Sequence, residues 1–84
     1  MFKTCVYKNP ECLCIQYDGT NHDEIEAKWG DKIGNNVYDD KSFHVRSETG
    51  DVTYCEIGDY IVEYDNKLIV YDDVEFNKHF NIKD

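Results

Sequence analysis

Cysteine and histidine are the residue types in this chain that could do metal or nucleophilic chemistry, with four cysteines and three histidines among its 84 residues. Cys12 and Cys14 form a C-x-C pair, and a strand would direct both thiols to one face. Structural zinc sites usually carry C-x₂₋₄-C pairs, and neither Cys5 nor Cys55 supplies a second paired half. We therefore favour free thiols, buried or half-buried, over a metal site, and we expect no bound metal.

Catalytic motifs are missing from the sequence. His22 lies near a predicted helix start, His44 on the outer face of a predicted strand and His79 near a predicted helix end. These positions suggest no Ser/His/Asp or Cys/His arrangement, which geometry rather than order would define. The phosphate-binding G-x-x-x-x-G-K-[ST] and dinucleotide-binding G-x-G-x-x-G motifs do not occur. We expect a protein that is not an enzyme, with no catalytic residues and no cofactor.

Acidic residues alternate with tyrosines in the second half of the chain, and this run is the main candidate for a partner-binding site. Tyrosine is favoured at interfaces because it joins an apolar body to a polar tip. The alternative is that the tyrosines pack within a sheet whose acids are merely solvated. The candidate partner-binding residues are Glu56, Asp59, Glu63, Tyr64, Asp65, Tyr71, Asp72, Asp73 and Glu75.

The charge of the chain bears on its partners. The net charge is −9 and the sequence pI is about 4.6. Such a balance argues against direct binding to nucleic-acid phosphates. It favours solubility, a partner with a basic surface, or mimicry of a polyanion, and a plain solvated surface stays open as an alternative. The sequence shows no signal peptide and no apolar run near 18 residues, so we expect no membrane association, reduced thiols and a cytoplasmic location.

A hairpin followed by a short helix is the best-defined part of the pattern. Residues 59–64 and 67–71 are rich in β-branched and aromatic side chains, and Asn66 between them suits a tight turn. Their centres are continuous apolar runs, which predicts a central, well-covered hairpin. A helix is predicted over residues 73–80. It has an aspartate available as N-cap, and Phe76 and Phe80, four apart, share one face.

A second helix is predicted over residues 23–29. Thr20 or Asn21 can cap its first turn, where acidic side chains suit the helix dipole. Gly30 follows at the position that commonly ends a helix. About two and a half turns are too few for an isolated helix, so this segment must pack on the sheet.

The remaining strands are predicted over residues 1–7, 12–17, 42–47 and 52–56, with a short edge strand at 37–38 and a loop at 33–36. Along 12–17, we predict that Leu13, Ile15 and Tyr17 form the core face. The architecture is therefore α+β, one domain over residues 1–84, in which two helices pack on five or six mostly antiparallel strands forming a curved sheet or partial barrel. The predicted core comprises Ile25, Trp29, Phe43, Val45, Ile61, Leu68, Val70 and Phe76.

The order of these motifs resembles that of a family of small phage- and prophage-encoded proteins. The matching segments run from about residue 8 to residue 80 in the same order. They are Lys8 and Pro10, residues 15–19, Glu24-Ile25 with Trp29, residues 49–51, residues 58–62 and residues 72–76. The hairpin turn departs from the pattern, since Asp65-Asn66-Lys67 replaces a turn that contains glycine. The resemblance implies a phage or prophage origin and carries no catalytic residues.

The resemblance and the charge together suggest a non-enzymatic accessory protein in the cytoplasm of a host bacterium. We expect it to bind a host protein and to inhibit a defence system such as a CRISPR effector. The alternatives are a protein that sequesters a nucleotide or signal molecule, and a minor structural or regulatory phage protein. A hydrolase ranks last, because no catalytic motif was found.

Overall fold

The computed structural model describes residues 2–6, 11–35, 42–46, 50–64 and 66–82, and the fold is given for these residues. They form two α-helices, one turn of 3₁₀ helix and eight strands. The helices are α1 (His22–Trp29) and α2 (Asp73–His79), and the 3₁₀ turn spans Gly30–Lys32. The strands are β1 (Lys3–Val6), β2 (Glu11–Gln16), β3 (Ile33–Asn35), β4 (Phe43–Arg46), β5 (Val52–Cys55), β6 (Tyr60–Tyr64), β7 (Lys67–Tyr71) and β8 (Asn81–Ile82).

Two antiparallel sheets hold these strands. The large sheet has the order β7-β6-β2-β1-β8, and the small sheet has the order β3-β4-β5. The predicted α+β class is confirmed. The strands divide between two sheets instead of forming one curved sheet, and a partial barrel is not confirmed. Strand patterns show which segments are extended, whereas the pairing depends on which apolar faces meet in three dimensions.

Strand β2 of the large sheet is covered on both faces. Cys12 and Cys14 are buried on the face that carries Phe76 of α2. Ile15 and Tyr17 are buried on the opposite face, in the cluster that includes α1 and the small sheet. The predicted core face is therefore correct for Ile15 and Tyr17, whereas Leu13 is half-buried, and it is incomplete because Cys12 and Cys14 are buried on the other face.

The predicted core agrees with the structure at all but one position. The buried members are Ile25, Trp29, Phe43, Val45, Ile61, Leu68 and Phe76. Val70 is half-buried against the same cluster as Leu68. Its partial exposure fits the place of β7 at the edge of the large sheet, where β6 is its hydrogen-bonded neighbour among the described strands.

Helix α1 differs from its prediction at both ends. Asn21 occupies the N-cap position, but its side chain makes no capping hydrogen bond. Instead its Oδ1 accepts from the Asp18 N–H at 3.0 Å and its Nδ2 donates to the Gln16 carbonyl at 2.8 Å, which closes the loop before the helix. Gly30 has φ −52° and ψ −35°, so the chain continues into the 3₁₀ turn rather than stopping in a left-handed cap. The Asp18 N–H thus takes the Asn21 Oδ1 acceptor that a cap would use, because Asx side chains bond nearby backbone groups readily.

Helix α2 begins as predicted. The Asp72 carboxylate accepts the Glu75 N–H at 2.7 Å, the expected N-cap bond. Phe76 and Phe80 are both buried on the large sheet. The structure adds two strands that the sequence did not indicate, β3 in the predicted loop at 33–36 and β8 after α2. The predicted strand at 37–38 lies outside the described residues.

Neither helix in the described part of the chain has the length and apolar character needed to cross a bilayer.

Candidate partner-binding surface

An open apolar depression lies on the α2 side of the large sheet, near the β6–β7 hairpin. Its volume is about 200 Å³. We call it the tyrosine shelf, and it is lined by Val62, Tyr64, Ile69, Tyr71 and Phe80. Within it, Tyr64 is 41% exposed and Ile69 is 38% exposed. Large apolar side chains thus remain in water at a site where they adjoin one another, which makes this depression the candidate interaction surface.

The shelf exists because α2 is short. Seven residues of helix extend only about 10 Å, less than the width of the sheet beneath them. Phe76 stacks on Tyr60 with ring centroids 3.8 Å apart, and Phe80 meets Tyr71 edge to face at 5.1 Å. These contacts cover the start of β6 and the end of β7. The same face near Tyr64 is left without a helix above it.

The register of the hairpin determines which side chains share the shelf. Tyr64 pairs with Lys67, Val62 with Ile69 and Tyr60 with Tyr71. Directly paired residues lie on one face of a sheet, and alternate residues along each strand share that face. The predicted well-covered hairpin is therefore wrong for the α2 side of β7, since Ile69 stays exposed there. The period-two pattern of Lys67, Ile69 and Tyr71 could have indicated this face, but the continuous apolar run concealed it.

Acidic side chains follow the shelf residue Tyr71 along the chain, where β7 leads into α2, and we call Asp72, Asp73 and Glu75 the acidic border. Asp72 holds the N-cap, and Asp73 and Glu75 occupy the exposed first turn of the helix. Glu75 lies 3.7 Å from the Lys78 ammonium and 3.5 Å from the His79 imidazole, so part of its charge is offset within the helix. Asp73 contributes to raising the pKa of the Tyr60 phenol, after burial and the Cys14 thiol.

The predicted partner-binding residues divide into two groups. Tyr64 and Tyr71 line the shelf, and Asp72, Asp73 and Glu75 follow Tyr71 in the chain at the start of α2. The remaining residues have other places. Glu63 points to the opposite face of the sheet, where it accepts a hydrogen bond from Trp29 at 2.8 Å. Glu56 and Asp59 close the turn before β6 through the Glu56 N–H and the Asp59 carboxylate, and Asp65 lies outside the described residues. Sequence reasoning missed Val62, Ile69 and Phe80 as members of the surface.

A second depression of about 250 Å³ lies at the other end of the large sheet. Its polar lining includes Lys3, Gln16, Asp18, Asn21 and Tyr60. Several of these polar groups are already hydrogen-bonded within the protein. Gln16 Nε2 donates to the Gly58 carbonyl at 3.1 Å, and Asp18 accepts from the Thr20 hydroxyl and N–H. These Thr20 hydrogen bonds lower the pKa of the Asp18 carboxyl. The depression is therefore built mainly from groups that hold loops in place.

The four cysteines are buried free thiols. Cys5 pairs directly with Cys12 across β1 and β2, and burial raises the pKa of both thiols. Burial likewise raises the pKa of Cys55 to about 12, with Asp59 and Glu56 adding to the effect. Nucleophilic attack needs the thiolate, so these environments disfavour reaction. Among the described side chains, no group of three or more His, Cys, Asp or Glu residues is placed to hold a metal ion.

The three histidines belong to three different elements, α1, β4 and α2. His22 meets Phe43 edge to face at 5.0 Å, beneath the start of α1. His44 lies over Gly34 of β3 and meets Tyr54 edge to face at 6.4 Å. Both therefore have packing roles in or against the small sheet, while His79 belongs to the exposed last turn of α2.

No family model, curated protein or solved structure matches this chain. The resemblance to small phage-encoded proteins stays a hypothesis.

Proposed function

We propose that this chain is a non-enzymatic binding protein that docks the tyrosine shelf on a basic surface of another protein. The observation that carries the proposal is the exposure of Tyr64 and Ile69 on the shelf, with Asp72 and Asp73 directly after the shelf residue Tyr71 in the chain. Aromatic and aliphatic anchors supply most interface energy when they fill a partner pocket. Charges at the border contribute orientation and association rate more than affinity.

The net charge of −9 supports a basic partner and disfavours nucleic acid. The resemblance to phage proteins suggests a biological setting for such binding. In that setting the partner is a protein of a host bacterium, and inhibition of a defence effector such as a CRISPR nuclease is the role we put forward. Nucleic-acid-binding effectors carry basic channels, which an acidic protein can occupy as a polyanion would.

Sequestration of a small molecule is the second candidate, and the depression around Lys3 and Tyr60 is the observation that favours it. Its volume of about 250 Å³ is below the roughly 300–1,000 Å³ typical of ligand pockets. A nucleotide would exceed that space, and several of the polar groups are already hydrogen-bonded within the protein. We therefore rank this candidate after protein binding.

The proposal is tested by affinity capture from a lysate of the host bacterium, with mass spectrometry of the bound proteins. Ile69→Asp should abolish specific capture, because it places a charge in the centre of the shelf. Val52→Asp is the matched control, since Val52 is 47% exposed on the small sheet and outside the shelf. Thermal unfolding should show that both variants fold. Equal capture by the wild type and Ile69→Asp would exclude the shelf as the binding surface.

A further inference from the structure

Strand β7 forms one edge of the large sheet. Within the described residues its strand partner is β6, through the register that joins Tyr64 to Lys67 and Tyr60 to Tyr71. In an antiparallel ladder every second residue turns its N–H and C=O away from the neighbouring strand. An edge of this kind is a template on which another extended chain can pair.

The two faces of β7 differ in what they offer to an added strand. Leu68 is 8% exposed and packs under the small sheet, so that face is already covered. Ile69 and Tyr71 face the shelf on the other side. An added strand would lie about 4.8 Å from β7, and its alternate side chains would pack beside these two residues. The shelf and the edge are therefore one continuous surface.

Charges of opposite sign mark the two ends of this edge. Lys67 begins β7, and Asp72 and Asp73 follow directly after its last residue. The distance from Lys67 to Tyr71 along the strand is roughly 13 Å. A segment running antiparallel to β7 would bring its N-terminal residues to the aspartates and its C-terminal residues to the lysine. Antiparallel pairing is the mode of every ladder found in the described strands.

We propose that β7 receives an extended segment of the partner as an added antiparallel strand. The segment carries basic residues at its N-terminal end and aliphatic residues at alternate positions after them. Main-chain hydrogen bonds would supply affinity, and the alternate aliphatic side chains on the shelf would supply specificity. This inference rests on the proposed function, of which it names the partner's chemistry.

An amphipathic helix is a less suitable occupant. A helix with its side chains is about 10–12 Å across and would use several turns of a groove. The shelf holds about 200 Å³, which accommodates one or two side chains. A helical partner would also leave the β7 edge unpaired.

The test begins with selection of a displayed random heptapeptide library on the whole protein, followed by synthesis of the enriched peptides. The expected peptides have lysine or arginine near the N-terminus and aliphatic residues at every second position. Each synthetic peptide is then N-methylated at one backbone position at a time. N-methylation should weaken binding about tenfold or more at alternate positions and little at those between, since only alternate N–H groups face β7.

Protein variants decide which surface is used. Ile69→Asp should abolish peptide binding, and Asp73→Lys should weaken peptides with a basic N-terminus. Val52→Asp, on the exposed edge strand of the small sheet, should leave binding unchanged. Loss of binding in Val52→Asp would assign strand addition to β5 and overturn the inference.

The remaining outcomes separate this inference from the proposed function. Helical spacing of the enriched residues, or equal sensitivity to N-methylation at every position, would overturn strand addition while shelf-dependent capture of a partner survived. Absence of any enriched peptide together with shelf-dependent capture would also overturn it. If the Ile69→Asp variant captured the partner as well as wild type, the proposed function itself would be excluded.

Discussion

The Trp29 indole N–H donates a hydrogen bond to Oε2 of Glu63 over 2.8 Å and so joins α1 to the large sheet. Trp29 is 3% exposed, and Phe2 meets its ring edge to face at 5.0 Å. An indole N–H can only donate, so at this depth it depends on the carboxylate. Glu63 is thereby a structural residue of α1 packing.

Glu63→Ala should lower the free energy of unfolding by about 1–3 kcal/mol, because it leaves the buried indole N–H without an acceptor. Glu63→Gln keeps an acceptor oxygen and should cost less. Urea denaturation of both variants measures the difference. Equal losses for the two variants, or none for Glu63→Ala, would show that the hydrogen bond contributes little to stability.

Removal of the α2 cap tests a residue that also belongs to the acidic border. Asp72→Ala should cost about 1 kcal/mol, since the Glu75 N–H loses its acceptor. Asp72→Asn should cost less, because asparagine caps nearly as well as aspartate. Any substitution that removes the Asp72 carboxylate is therefore expected to affect stability as well as charge. Chemical denaturation gives both values, and an Asp72→Ala variant as stable as wild type would contradict the capping role.

Two apolar residues of α2 should differ strongly in how much stability their truncation costs. Phe76 is fully buried between Tyr60 and Phe80, and Phe76→Ala should cost about 3–5 kcal/mol. Val74 is 60% exposed, and Val74→Ala should change stability by less than about 0.5 kcal/mol. Denaturant midpoints measured in parallel test the pair. Comparable effects at both positions would mean that α2 docks through a different face.

Burial raises the pKa of Cys55 from 9.0 to about 12. The free energy of unfolding should therefore fall at alkaline pH. The unfolded chain begins to lose this proton near pH 9, whereas the folded chain retains it. Deprotonation therefore favours the unfolded state, so the contribution is complete below pH 9 and is lost as the pH rises from 9 towards 12. One such proton gives a slope of about 1.4 kcal/mol per pH unit.

Cys55→Ala isolates this contribution, since Cys5 and Cys12 are unchanged in the variant. The free energy of unfolding, measured by urea titration at a series of pH values, should fall less steeply above pH 9 in Cys55→Ala than in wild type. Identical slopes would show that Cys55 does not titrate differently in the two states.

Association with a basic partner should slow as salt is added. The Debye length, over which charges interact, falls from roughly 10 Å at 0.1 M to about 3 Å at 1 M ionic strength. Asp73→Lys should lower the on-rate and its salt dependence, because this carboxylate belongs to the acidic border. Asp31→Lys changes the net charge equally from an exposed site in the 3₁₀ turn and should have a smaller effect. Stopped-flow or surface-based kinetics measure both, and equal effects would indicate net charge rather than a local site.

The sequence predicted most helices and strands because their signals are local. Helix α2 needs only Asp72 before it and Phe76 and Phe80 on one face, and all three have the expected roles. Strand β3 escaped prediction because Gly34 weakens any strand pattern. In the structure the His44 ring on β4 lies over Gly34 and fills the space that a side chain would occupy. That support comes from another strand and cannot be read within a window of residues 33–36.

The candidate surface likewise combines features that local sequence indicates with contacts that only the fold reveals. The sequence placed Tyr64, Tyr71 and the aspartates in one acidic and aromatic stretch, but alternation along β6 sends Glu63 to the opposite face to bind Trp29. Composition cannot decide this, because neighbouring strand residues face opposite sides and only packing shows which side is covered.

The sequence by itself determined the acidic charge, the α+β class and seven of the eight proposed core positions, since these depend on composition and on local periodicity. Tertiary structure decided that the strands form two sheets, that both faces of β2 are buried and that Ile69 is exposed. The physical reason is that strand pairing and the area a helix covers are long-range properties. Helix α2 is too short to cover the sheet, and the shelf is the part it leaves in contact with water.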